Sequence, residues 1–308
     1  MKHIVSVSIG SSDRNHSAHV NMLGEDYLVE RIGTDGDIEK AIDLIRKMDG
    51  EVDAFGMGGI DLYMAAVGKK YVFKDAKRIA DAARKTPLVD GTGLKSTLEY
   101  RVVKYAAEVE KLPIAGKRVL VVCAIDRIGM GVAFEELGCR VTYGDLMYAL
   151  GIPIPLHSLK WIYRLAPIVM PIATRIPFEW LYPTGTGQTV QDAKASTKYA
   201  RFYDEADVIA GDFHFIRKYL PDRIDGKIVV TNTVTSKDVE ELGRRGASAL
   251  VATTPEINGR SFGTNVLEAI LVTFINKPVD DITEKDYFDQ LDRLEIKPRI
   301  VRYTQPQA

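Results

Sequence analysis

At 308 residues the chain exceeds the usual size of one domain, so two domains, or one large α/β domain with an appendage, are expected. Hydrophobic residues at 46% and charged residues at 27% are ordinary globular proportions. The 41 Lys and Arg against 42 Asp and Glu leave a formal charge of −1, which argues against a protein built mainly to hold nucleic acid but leaves room for a local basic patch. Cys123 and Cys139 have no CxxC spacing and lie in apolar surroundings, so neither a disulfide framework nor a zinc cluster is indicated. The opening MKHIVSVSIG has too short an apolar run for a signal peptide and reads as a first strand, so a cytoplasmic location is expected.

Runs rich in Val and Ile alternate with helix-length amphipathic runs, the pattern of an α/β fold whose sheets are joined by crossover helices. Strands are predicted near Ile4 to Ser8, Ala18 to Leu23 and Tyr27 to Ile32, the last two forming a hairpin around Gly24-Glu25-Asp26. Asp37 caps a predicted helix in which Ile38, Ala41, Ile42 and Ile45 recur at helical spacing. Val52 to Phe55 reads as a short buried strand, and a helix after Lys74 stops at Thr86-Pro87 before the strand Leu88-Val89. A long helix follows, from Leu94 to Leu112.

Breaker residues Pro113-Ile114-Ala115-Gly116 place a domain boundary there, giving an N-terminal α/β substrate domain over 1–112 and a second domain over 113–276. Five strands are predicted in the second: Arg118 to Cys123, Arg140 to Tyr143, Asp207 to Ala210, Lys227 to Thr231 and Ala249 to Thr253. Each is followed by helix-competent sequence, so this half reads as a Rossmann-like doubly wound parallel sheet. An apolar helix from Phe262 to Ile275, a charged helix from Glu284 to Leu294 and a tail strand from Arg299 to Tyr303 close the chain, with 277–308 expected to complete the first domain.

The segment Leu146 to Pro183 breaks this rhythm, holding both tryptophans and six of the 13 prolines. Lys160, Arg164, Arg175 and Glu179 interrupt its apolar runs before they reach the ~20 residues needed to span a bilayer, so no transmembrane segment is expected. It is read as a Pro/Trp-rich helical insert, over 146–183, packing on the other domain or on a second subunit of a homo-oligomer; contact with a membrane surface is the alternative.

Three glycine- or hydroxyl-bearing turns fall where chemistry sits in α/β sheets. In Ala124-Ile125-Asp126-Arg127-Ile128-Gly129, after the first strand of the second domain, Ala124 and Asp126 stand where a dinucleotide turn has its first two glycines and Gly129 keeps the third. Arg127 is expected to contact a phosphate, and Asp145, 21 residues after Ala124, to accept from ribose hydroxyls, which favours NAD over NADP. Thr231 and Asn232, ending the fourth strand of that sheet, are expected to touch the same cofactor.

In the first domain, Gly56-Met57-Gly58-Gly59 and Asp90-Gly91-Thr92-Gly93 each read as a strand-to-helix turn whose bare amides attract an anion, with Gly58, Gly59 and Thr92 as substrate contacts. Asp90 and Lys95 share the second turn, a pairing able to move a proton to or from an alcohol; capping by Asp90 and a solvated Lys95 are the structural alternative. The polar loop Thr253 to Asn265 offers Arg260, Ser261 and Asn265 to a carboxylate and hydroxyls. His16 and His19 lack a third ligand, so no metal site is expected, and no hydrolase motif is present.

This arrangement resembles the shikimate and quinate 5-dehydrogenase superfamily, most closely bacterial proteins labelled quinate 5-dehydrogenase. An α/β substrate domain comes first, the Rossmann domain starts near Gly116, and Asn258-Gly259 to Phe274 is similar to the closing loop and helix of that family. Lys95 and Asp90 match its Lys and Asp only loosely; the N-terminal serine-rich motif and N-V-T-x-P-x-K are missing, and Ile270 stands where a family Gln would sit. The resemblance implies an NAD(P)-dependent oxidoreductase acting on a small anionic substrate such as quinate or shikimate. The alternative is a non-catalytic or differently catalytic Rossmann-type protein that binds a small anion or nucleotide.

Overall fold

A computed structural model describes residues 1–303 apart from 23, 67, 178–198, 233, 255, 258, 259, 262 and 295. In chain order its strands and helices begin with β1 (Lys2–Ser8), β2 (His16–Met22), β3 (Glu25–Gly33), α1 (Ile38–Met48), β4 (Ala54–Gly58), β5 (Tyr63–Ala66), β6 (Lys69–Val72), α2 (Lys74–Ala80), β7 (Leu88–Val89) and α3 (Thr92–Glu108). Then come β8 (Arg118–Val121), α4 (Ile128–Glu136), β9 (Arg140–Tyr143), α5 (Leu159–Ala173), α6 (Ala200–Glu205), β10 (Val208–Gly211), α7 (Phe213–Tyr219), β11 (Ile228–Thr231), α8 (Ser236–Arg244) and β12 (Ala249–Ala252). The chain continues with β13 (Glu256–Ile257), β14 (Arg260–Ser261), α9 (Thr264–Ile275), α10 (Glu284–Arg293) and β15 (Arg299–Arg302).

The described residues fall into two compact units. One comprises those of Met1–Thr97, Pro167–Gln188 and Phe262–Ile296; the other, those of Leu98–Ala166, Thr189–Ser261 and Lys297–Ala308. The division therefore falls inside α3 rather than at Pro113 to Gly116, because a breaker ends a helix without deciding which core the helix joins. The insert expected over 146–183 is likewise shared between the units, and its end at 178–183 lies outside the described residues.

The first unit is built on a sheet of order β2-β3-β1-β4-β7, in which β3, β1, β4 and β7 run parallel and β2 closes one edge antiparallel. Asp37 accepts from the Lys40 amide to start α1, whose Ala41, Ile42 and Ile45 are buried at the spacing that predicted it. Ile4, Val5, Tyr27, Val29, Phe55 and Met57 are buried strand residues of this unit. One expected element is different. Gly56 to Gly58 extends β4, and Ile60 to Tyr63 opens no helix but leads into the β5–β6 hairpin. These glycines answer to close packing: a Cβ at Gly56 would lie 2.9 Å from Asn265 Nδ2.

The second unit holds a sheet of order β15-β12-β11-β10-β8-β9. Its five parallel strands run, in order of appearance, 2-1-3-4-5, the doubly wound order with a switch point between the first and third strands. The chain is thus an α/β protein with parallel sheets, but this is not the six-strand 3-2-1-4-5-6 arrangement of dinucleotide dehydrogenases. The tail strand also departs from expectation: β15 pairs antiparallel with β12, and Tyr303 donates to Val239 O at 2.8 Å, so the tail belongs here and not to the first domain. Among the described residues no helix is long and apolar enough to cross a membrane.

Candidate functional site

In the first unit, β1 pairs with β3 on one side and β4 on the other, so the winding direction reverses between β1 and β4. Crevices of that kind, beyond the carboxyl ends of parallel strands, are where open α/β sheets take ligands. The carboxyl ends of β1, β4 and β7 deliver Ser8, Gly58, Gly59, Asp61 and Asp90. Lys95 comes from the first turn of α3, and Asn265 from that of α9.

Asn265 ties the strands together. Its Nδ2 donates to Ser6 Oγ at 2.8 Å, and a Cβ at Gly58 would fall 3.0 Å from Ser8 Cβ and 3.3 Å from that same amide nitrogen. Gly91 (φ 97°) is in the conformation that glycine adopts most readily, and a Cβ there would lie 2.9 Å from the Asn265 backbone nitrogen. Gly91→Ala is therefore expected to destabilise the protein by roughly 1–3 kcal/mol, measured by urea unfolding; an unchanged midpoint would show that α9 yields without cost.

Around this junction lies a group of ionisable side chains. Lys95 Nζ is ion-paired with Asp61 Oδ1, the two side chains 9% and 15% exposed. Asp90 is buried; its Oδ2 accepts from the Leu62 amide at 2.6 Å and from Thr92 Oγ1 at 2.5 Å, and its Oδ1 from the Thr92 amide at 3.1 Å. Burial first, then the neighbouring Asp61 charge, raises the Asp90 pKa, while Lys95 and the Thr92 and Leu62 hydrogen bonds oppose the rise. Glu268, in the second turn of α9, accepts from the Gly91 amide at 2.6 Å and from Tyr287 Oη at 2.5 Å. Its carboxyl is pushed up to about 8, by burial and then by the charge of Asp90.

The expected contacts thus divide. Lys95, Asp90, Thr92, Gly58, Gly59 and Asn265 all belong to the first unit, whereas Arg260 and Ser261 form β14 in the second, paired with β13. The loop positions Asn258 and Gly259 lie outside the described residues. Asp61 and Glu268 were not anticipated. A signal existed for each: Asp61 follows the carboxyl end of β4, and Glu268 is the single charged residue in the apolar sequence of α9.

The cluster brings three carboxyl groups to the Lys95 ammonium, and the Arg31 guanidinium donates to Ser8 Oγ at 3.1 Å. Solvent reaches the cluster through Gly58, Gly59, Asp61 and Thr92, which are only partly buried.

The strand ends of the second unit are engaged with one another. Asp145 Oδ1 accepts from the Ala124 and Ile125 amides at 2.9 and 2.8 Å, taking the turn amides proposed for a pyrophosphate. Burial pushes its carboxyl up to about 6, with both amides opposing. Arg127, expected to reach a phosphate, is a fully buried side chain paired with Glu99 and, at 2.8 Å, with Asp212 Oδ2; Asp126 Oδ2 lies 3.5 Å from its Nε. Gly129 is buried in the first turn of α4. Thr231 Oγ1 donates to Gly211 O at 2.8 Å, and Asn232 Nδ2 to Asp212 Oδ2 at 2.7 Å.

A cavity of about 510 Å³ in this unit is lined by Arg118 and Arg140, which begin β8 and β9. It therefore lies at the amino ends of the strands, away from the usual ligand position. Among the described residues no group of His, Cys, Asp or Glu is placed to hold a metal ion, and His16 and His19, three apart on β2, point to opposite faces.

No curated protein matches the chain significantly. Among solved structures, resemblance is found to a glucose-galactose binding protein from Geobacillus stearothermophilus, with 10% identity over 98% of this chain and 97% of that one and a TM-score of 0.42. A carbohydrate transporter solute binding protein from Agrobacterium radiobacter, in complex with D-arabinose, gives 11% identity, coverages of 98% and 94%, and 0.42. A 5,10-methylenetetrahydrofolate dehydrogenase from the silkworm, Bombyx mori, gives 11%, 94% and 88%, and 0.35. All three scores lie below 0.5, too low to carry an assignment.

The resemblance to shikimate and quinate 5-dehydrogenases is overturned, and with it the expectation of an NAD(P)-dependent oxidoreductase. The turn amides that a dinucleotide's pyrophosphate would need are taken by Asp145, and Arg127 is enclosed by Glu99 and Asp212. The family models that match are others: residues 3–90 match a Domain of unknown function (DUF8753). Residues 93–303 match a second model, and the chain belongs to the family it describes, Domain of unknown function (DUF8754).

Proposed function

We propose that the protein binds a small, uncharged polyhydroxylated molecule at the strand ends of its first unit. The observation that carries this reading is the Lys95–Asp61 ion pair, held almost out of water at the switch point yet open to solvent on one side. A carboxylate accepts from two neighbouring hydroxyls and an ammonium donates to a third, so such a pair fits a polyol without needing charge on it. Ser8, Thr92 and Asn265 add neutral donors and acceptors nearby.

Titration calorimetry across matched neutral and anionic polyols tests the idea. Binding of a neutral compound, weakened about tenfold or more by Asp61→Asn, is expected, since a hydrogen bond to a charged group contributes roughly 1.5–3 kcal/mol. Binding confined to the anionic members, or unaffected by Asp61→Asn, would sink the proposal.

A further inference from the structure

Helix α5 carries a surface that neither unit's core uses. Leu159, Ile162, Ala166, Met170 and Ala173 are buried along one side. On the other, Trp161, Ile168 and Ile172 are 51%, 66% and 64% exposed, and Arg164 is exposed with its guanidinium 5.2 Å from the Trp161 ring centre. Positions 161, 164, 168, 172 and 175 recur at intervals of three and four, so Arg175, just past the helix, continues the stripe. Ile152 and Ile154, in the approach to α5, are 42% and 53% exposed. Water is an unfavourable solvent for such a run of large apolar side chains.

Charge identifies the occupant. From Leu146 to Phe178 the sequence contains no Asp or Glu, while Lys160, Arg164 and Arg175 are all exposed. A second copy docking by two-fold symmetry would bring these cations against their own equivalents. A layer of acidic lipid headgroups complements them, and tryptophan, isoleucine and basic residues on one helix are the composition of an interfacial helix. With 15 residues, α5 is ~22 Å long, too short to span a hydrocarbon core of ~30 Å, so it would lie in the surface. We propose that the face of α5 bearing Trp161, Arg164, Ile168 and Ile172 docks the protein on anionic phospholipid membranes.

The full chain is tested by co-sedimentation with vesicles of phosphatidylcholine mixed with phosphatidylserine, against vesicles of phosphatidylcholine alone. Binding to the mixed vesicles is expected, with a blue shift of Trp161 emission read in a Trp180→Phe background. Each basic residue near an acidic surface strengthens partitioning roughly fivefold, so the combined variant Lys160→Glu, Arg164→Glu, Arg175→Glu is expected to lose about 100-fold or more. Ile168→Ser with Ile172→Ser is expected to lose about tenfold or more. All five positions are exposed, and far-ultraviolet circular dichroism confirms that the variants fold. Absence from the mixed-vesicle pellet overturns the proposal. So does binding that survives charge reversal, or a dimer in sedimentation equilibrium that Ile168→Ser with Ile172→Ser dissociates while vesicle binding persists.

Discussion

Arg127→Met is expected to destabilise the protein by about 3–5 kcal/mol, seen as a lower urea midpoint for the second unit's transition. The guanidinium is almost completely shielded from water, as are its partners Glu99 and Asp212, whose side chains are 1% and 3% exposed. Methionine fills much of the arginine's volume but leaves Glu99, Asp212 and Asp126 in a low-dielectric interior facing a thioether. Each must then be protonated, rehydrated or moved. Asp212 is further constrained, since its Oδ1 also accepts from the His214 amide at 2.8 Å and its Oδ2 from Asn232, which starts α7 and braces β11. Glu99 projects from α3 to meet the Arg127 guanidinium.

A second substitution separates lost attraction from stranded charge. Adding Glu99→Leu to Arg127→Met removes one of the abandoned carboxylates, so the double variant is expected to be more stable than Arg127→Met alone by at least ~1 kcal/mol. If Arg127→Met cost less than ~1 kcal/mol, the network would be incidental to the fold. If the second change made matters worse, Glu99 would owe its place to packing rather than to charge.

That network also explains what the sequence conceals. Periodicity and capping reveal α1 because Asp37, Ala41, Ile42 and Ile45 act within eleven or so residues of one another. The parallel strands of the second sheet are legible for a similar reason: each is a short run of Val, Ile and Ala bounded by polar residues. Asp145 and Arg127 mislead because a charged residue at a strand end looks the same whether it faces a ligand or its own backbone. Asp145 faces two amides of the adjacent turn, and Arg127 faces Glu99 and Asp212, which are 28 and 85 positions away in sequence.

Glycine misleads in another way. Gly56 and Gly58 signal the close approach of Asn265, more than 200 positions later, and not a turn. At the candidate site the sequence singles out Lys95 with Asp90, but Lys95 is ion-paired with Asp61, 34 positions away. Glu268 was not singled out, because its contact with Gly91 spans 177 positions. Its only local sign is a lone acid in an apolar helix.

Glu268 gives the protein a distinctive dependence on pH. Its carboxyl rises from an ordinary 4.5 to about 8 in the folded chain, by burial and then by the Asp90 charge, against the pull of the Tyr287 and Gly91 hydrogen bonds and Lys95. The folded state therefore holds a proton that the unfolded state has released. Stability from this group is full below pH 4.5, declines as pH rises towards 8 and is level above that.

At ~1.4 kcal/mol per pH unit the loss across this window is roughly 4–5 kcal/mol, comparable with the whole stability of many domains. Asp145, raised to about 6, acts in the same direction but completes its loss by that pH. Asp207, lowered to about 2 chiefly by its hydrogen bond to Arg118, works oppositely and only below pH 4, so it leaves the window alone. Urea midpoints measured from pH 5 to 8 are thus expected to fall steadily for the wild type. Glu268→Gln keeps an acceptor for the Gly91 amide and carries no charge, so its profile is expected to fall far less, most visibly between pH 6.5 and 8, where Asp145 no longer contributes. Parallel slopes for the two proteins in that interval would mean that Glu268 titrates near its ordinary value, with water reaching a carboxylate that the fold seals away.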